Sequence, residues 1–124
     1  MNTDTMGILT FAYMGDAIYE VYVRKYLIQK GIAKVNDLQK EATKYVSAKG
    51  QCSFLTKLLE NHFLLPEEEE IVYRARNHKV AHRPKSTDII TYKYATGLEA
   101  LIGYLYIKEN FERITQIMNE LLGE

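Results

Sequence analysis

Asp16 and Glu99 stand where a carboxylate is costly. Each lies in an apolar stretch with helical spacing, FAYMGDAIYEVYV around the first and ATGLEALIGYLYI around the second. An acid on such a face needs a positive partner to offset its desolvation. Gly15 precedes Asp16, and Gly103 follows Glu99 by four residues. A glycine inside a helix gives up about 0.5–1 kcal/mol relative to alanine, so it often marks a close approach of two backbones. The pattern predicts two helices crossing at these glycines, with both acids at the crossing. A divalent cation between them would make the chain a metal-dependent enzyme. Taken singly, each acid has a simpler explanation as a salt-bridge partner of a nearby Lys or Arg. Glu20, one turn after Asp16, is read as structural. On the residues alone both readings stay open.

A second group of residues suits phosphate. Arg74, Arg76, Lys79, Arg83, Lys85 and Lys93 face one acid, Asp88, over the same span, a local surplus of five positive charges. The whole chain has 16 basic and 16 acidic residues, so a polyanion must be held by this patch rather than by a global field. Arg offers bidentate contacts to phosphate and Lys a point charge, while His78 and His82 add donors. A solvated loop is the plain alternative. Few glycines and no tryptophan argue against a single-strand stacking platform, and flanking helices favour a duplex backbone recognised by shape.

Other chemistries find little support. His62, His78 and His82 lack the paired spacing of a zinc site, and one cysteine cannot complete it. Neither a G-x-S-x-G elbow nor a phosphate-binding Gly-Lys-Ser loop occurs. Lone Cys52 fits a reducing cytosol. No leader pattern is visible, and no run approaches the roughly 20 apolar residues of a membrane span. The Glu67–Glu70 run is expected to be a solvated first turn. The tyrosine stripe Tyr13, Tyr19, Tyr22 and Tyr26 reads as core or dimer interface.

The elements that must position these groups are all helical. The first is expected from about Thr5 to Gln29, stopped by Gly31, and the second from near Asn36, with Asn36 as its cap. Ser47 caps a third. Pro66 and the following acids open a fourth, which fades around Asn77. Residues 78–87 read as loop. Thr87 or Asp88 caps a long helix to about Lys108, and Asn110 caps the last, with Phe111, Ile114, Ile117, Met118 and Leu121 on one side. Residues 1–124 form one expected domain.

Several stretches together resemble the ribonuclease III catalytic domain. YMGDAIYEVYVRKYL looks like that family's signature helix, roughly F-L-G-D-A followed by apolar residues, and LEALIGYLYI is similar to its F-E-A-L-I-G-A-I-Y-L segment. Arg76-Asn77 resembles an Arg-Asn pair preceding that segment, and VSAKGQ its V-S-N segment. The order and spacing run from about Gly7 to Leu122. Within the family, YMGDAIYEVYVR, RPKSTDIITYKY and the early stop resemble Mini-ribonuclease III, the stand-alone form without a double-stranded-RNA-binding domain.

The resemblance implies an all-α endonuclease domain working as a symmetric homodimer in the cytoplasm. Asp16 and Glu99 would be catalytic and would hold Mg²⁺, with Mn²⁺ as a substitute, to hydrolyse phosphodiesters in double-stranded RNA and leave 5′-phosphate ends. Arg74, Arg76, Lys79, Arg83 and Lys85 would contact the RNA. The implied substrate is the precursor of large-subunit (23S) rRNA, and no membrane is involved. The chain departs from the pattern at Leu9, Ala12 and Thr96, where the family carries further acids. The alternative this raises is a weakly active or inactive duplex-RNA binder associated with ribosome assembly. The Arg76-to-Glu99 distance is longer than in full-length relatives, and the extra residues are the basic segment itself.

Overall fold

The computed structural model describes residues 6–78, 85 and 87–123, and these residues form six helices with no strand among them. In chain order the helices are α1 (Ile8–Gln29), α2 (Val35–Val46), α3 (Ala48–Glu60), α4 (Pro66–Arg76), α5 (Ile89–Ile107) and α6 (Phe111–Leu122). α5 is the hub, packed against α1, α3, α4 and α6, and its pairing with α1 is the most extensive in the molecule. Its sequence explains this position. Ala95, Leu98, Ala100, Leu101, Ile102 and Leu105 are buried and spread around the helix rather than along one stripe. A helix apolar on all sides is stable only inside a shell of others. Glu99 is therefore an acid on the central element of the core.

The helix ends follow local chemistry. Ser47, Asp88 and Asn110 each accept a backbone N–H through the side chain, as expected of the caps of α3, α5 and α6. Pro66 opens α4, and Asn77 closes it. Gly31, at φ 93°, follows the end of α1.

Three expectations need correction. α2 starts at Val35, with Lys34 in the extended conformation before it, so Asn36 lies inside the first turn and caps nothing. Phe111 is half-exposed and packs edge-on against Tyr106, outside the buried α6 face of Ile114, Ile117, Met118 and Leu122. The acidic run opening α4 is not wholly solvated. Glu68 is 1 % exposed, its carboxylate accepting the Leu65 N–H at 2.9 Å and two hydrogen bonds from Arg113 at 2.8 Å. The run looks uniform in sequence, yet its helical rotation turns one member inward toward α6.

The tyrosine stripe divides. Tyr19 is fully buried in the core and Tyr22 and Tyr26 pack partly against it, whereas Tyr13 is 82 % exposed.

Candidate functional site

The crossing of α1 and α5 is built by two glycines. A Cβ placed on Gly15 would lie 1.6 Å from the Glu99 carbonyl oxygen, and one on Gly103 would lie 1.7 Å from that of Phe11. Phe11 thus meets Gly103 while Gly15 meets Glu99, so the helices run in opposite senses with their main chains in contact. Any larger residue would force the backbones apart. This places Asp16, the next residue on α1, beside the Glu99 side chain. The crossing expected from sequence is the one observed.

Asp16 is exposed at the rim and Glu99 is half-buried behind it. Burial pushes the Glu99 carboxyl up to about 8, and the charge of Asp16 and a hydrogen bond between the two side chains push in the same direction. A hydrogen bond from Gln51 opposes the shift. Glu99 therefore favours its protonated form at neutral pH. Neither forms an ion pair with any described residue. Glu20 behaves as expected of a structural acid, pairing with Arg24 on the surface. The site is therefore a pair of adjacent acids with no ion-pair partner among the described residues.

That donor set fits a hard divalent cation. Mg²⁺ takes oxygen ligands and retains several waters, so one or two carboxylates suffice when substrate phosphates complete the shell. No group of three His, Cys, Asp or Glu suited to a metal occurs among the described residues. The positions of the missing family acids explain this. Ala12 packs in the core beside Phe11, Leu9 is half-exposed, and the Thr96 hydroxyl donates back to the Tyr92 carbonyl at 3.0 Å. None supplies an anion.

A third helix contributes a residue that its sequence context alone did not single out. Gln51 of α3 is 2 % exposed, and its Nε2 donates to Glu99 Oε2 at 3.4 Å. Its signal was present, since Gln51, Phe54, Leu55 and Leu58 share one face of α3 and only the first is polar. Nearby, the Tyr19 hydroxyl donates to the Tyr45 carbonyl at 2.8 Å. Burial, with the charges of Tyr45 and Glu99, raises its pKa far above the ordinary tyrosine value, so it remains a neutral donor.

The basic residues are placed unevenly. Arg74 and Lys85 are exposed, while Lys79 and Arg83 lie outside the described residues. Arg76 is half-buried, its guanidinium 5.2 Å from the Tyr73 ring centre and 4.5 Å from that of Tyr94. Stacked between the two rings, it ties the end of α4 to α5.

Comparison with known proteins gives the chain's family. A family model described as "Ribonuclease III domain" matches residues 9–110. Mini-ribonuclease 3 of Streptococcus pneumoniae is 44% identical over 111 residues, spanning 90% of this chain and 87% of the relative. Mini-ribonuclease 3 of Desulfitobacterium hafniense is 47% identical over 122 residues, spanning 96% and 76%. A crystal structure of a protein from Fusobacterium nucleatum matches with a TM-score of 0.87 at 34% identity, covering 98% of each chain.

Proposed function

Because this chain belongs to the ribonuclease III family, among the Mini-ribonuclease 3 proteins, we infer that the Asp16–Glu99 pair is the catalytic and metal-binding centre of its endoribonuclease activity on double-stranded RNA. The observation that carries this reading is the glycine-locked crossing. Two helices give up side chains at Gly15 and Gly103, and what the close approach brings together is a pair of acids that forms no ion pair with a cation among the described residues.

Asp16 and Glu99 would hold Mg²⁺, with Mn²⁺ as a substitute. Bound there, the cation supplies a water of lowered pKa and offsets charge on the phosphorus undergoing hydrolysis. The chain's own contributions are separable. Asp16, at the solvent edge, meets incoming phosphate and water first. Glu99, fixed on the central helix, would hold the inner position and would release its proton to solvent on binding a cation. The surrounding apolar wall limits water around Glu99, which strengthens its attraction for the metal. With two acids only, the centre depends on RNA phosphate oxygens to complete it, so cation and substrate should bind synergistically.

The basic residues supply the grip. Arg74, Arg76, Lys79, Arg83 and Lys85 contact duplex phosphates, with Arg76 held by its tyrosine stack at the start of the segment. We place the enzyme in the cytoplasm, acting on the precursor of large-subunit (23S) rRNA as a homodimer. The dimer is supported by an unpartnered face of α1, where Leu9, Tyr13, Val21 and Ile28 are exposed on the helix that carries Asp16. Pairing that face would set two centres on one duplex, one for each strand. No helix among the described residues is long and apolar enough to cross a membrane.

The deciding experiment incubates duplex RNA and Mg²⁺ with the wild type and with Asp16→Asn. Cleavage by the wild type, lost in the variant with RNA binding kept, is the expected result. Binding without cleavage by the wild type would instead support an RNA-binding relative lacking activity.

A further inference from the structure

We propose that Gln51 is a positioning residue for Glu99, presented by the α2–α3 elbow as a neutral hydrogen-bond donor that fixes the carboxylate while leaving its charge available to a cation. The proposal rests on the Asp16–Glu99 reading of the centre and extends it to a third helix.

The elbow is built for a fixed presentation. α2 ends at Val46, and Ser47 serves both as its last cap and as the first cap of α3, its hydroxyl accepting the Gly50 N–H at 3.1 Å. Gly50 allows the sharp join: a Cβ there would lie 2.2 Å from the Lys44 carbonyl oxygen, so the first turn of α3 sits directly on the last carbonyls of α2. The Tyr19 hydroxyl bonds the Tyr45 carbonyl and pins the same elbow to α1, one turn beyond Asp16. The residue after Gly50 is thereby aimed into the core, where the Gln51 amide meets Glu99 Oε2.

A buried stripe of Phe54, Leu55 and Leu58 would be filled more cheaply by Leu or Met than by an amide, which must be desolvated. What the amide adds is specific. An ionised carboxylate only accepts hydrogen bonds, so Gln51 must face it with N–H. One lone pair of Glu99 is then occupied and its orientation held, without the neutralisation a Lys or Arg would bring. Outer partners of this kind orient metal-binding carboxylates, and losing one typically weakens metal affinity or activity by roughly 10–100-fold.

The test is a Mn²⁺ titration followed by electron paramagnetic resonance, on the full chain without RNA, for the wild type, Gln51→Leu, Gln51→Met and Asp16→Asn. The expected result is that both Gln51 variants fold with unchanged or raised thermal stability and bind Mn²⁺ roughly 10-fold or more weakly. Their affinity for duplex RNA without divalent cation should match the wild type. The two apolar variants serve as mutual checks, so either one that folds decides the matter. If a folded variant binds Mn²⁺ as the wild type does while Asp16→Asn does not, Gln51 is only a packing residue and the proposal is overturned. If the wild type shows no Mn²⁺ site that Asp16→Asn removes, the reading of the centre itself fails, and the role of Gln51 falls with it.

Discussion

Glu68 and Glu99 are both drawn into the helical core, and the molecule treats them in opposite ways. Glu68 receives a bidentate clasp from Arg113 and the Leu65 N–H, while Arg113 also donates to the Phe63 carbonyl at 2.9 Å and stacks over the Phe63 ring. Its charge is met entirely within the chain. Glu99 receives one long hydrogen bond from a neutral amide and faces a second carboxylate. The fold neutralises one buried acid, and leaves the other beside a second carboxylate with no ion pair among the described residues. The first site is complete, and the second, on the proposed reading, would take a positive partner from outside.

The sharpest way to break this contrast is to remove one partner from each site. Asp16→Asn should lower duplex RNA cleavage on the order of 10³-fold, equivalent to several kcal/mol of transition-state stabilisation, without lowering the thermal midpoint, because it relieves like-charge repulsion. Arg113→Ala should do the reverse. Leaving Glu68 buried and unpaired should cost about 3–5 kcal/mol in denaturant unfolding, while the cleavage rate per folded molecule persists. If Asp16→Asn destabilises as strongly as Arg113→Ala, the two sites are alike and the contrast is wrong.

Gly15→Ala tests the crossing itself. Its methyl would strike a main-chain oxygen that has no rotamer to escape into, so we expect a loss of about 1–3 kcal/mol or more together with loss of cleavage. A stable, active alanine variant would show that the acids do not depend on the close approach.

A subtler difference is one of pH. Glu99 is raised to about 8 from an ordinary value of 4.5, so folding favours its protonated form. The stability this contributes is present below about 4.5 and is lost as pH rises through about 8. Thermal scans without divalent cation should show that decline. Mg²⁺ should bind more tightly as pH rises over the same window, because it displaces the proton, and should remove the decline. A metal-free midpoint that stays level across that window would contradict the raised Glu99 pKa.

The smallest effects belong to the basic segment. Charge reversal of Arg83 and Lys85 should raise KM and reduce the slope of log affinity against log salt by roughly 0.7–0.9 for each phosphate left without its cation. Unchanged RNA affinity would remove the segment from the binding site.

Much of this was legible from residue type and spacing. The acids and their glycines announced the α1–α5 crossing, because glycine inside a helix is destabilising unless a neighbour occupies the space. Caps with a side-chain acceptor were also legible at Ser47, Asp88 and Asn110. Asn36 misled because a good capping residue stood one turn position past a helix that starts without a side-chain cap. The Glu68–Arg113 clasp joins residues 45 apart, and nothing in a run of four glutamates says which one turns inward. Gln51 was obscured for a similar reason: its partner Glu99 lies 48 residues away.

The interlock of Gly15 with Gly103 has one further consequence. Because carbonyl oxygens rather than side chains set how near α1 and α5 come, the spacing of the two backbones that carry the acids is a main-chain dimension, as rigid as the helices themselves. If the two acids hold a cation as proposed, ionic radius is a property the enzyme would discriminate. Widening its preference toward a larger ion would require rebuilding a helix, since there is no side chain at the contact left to trim.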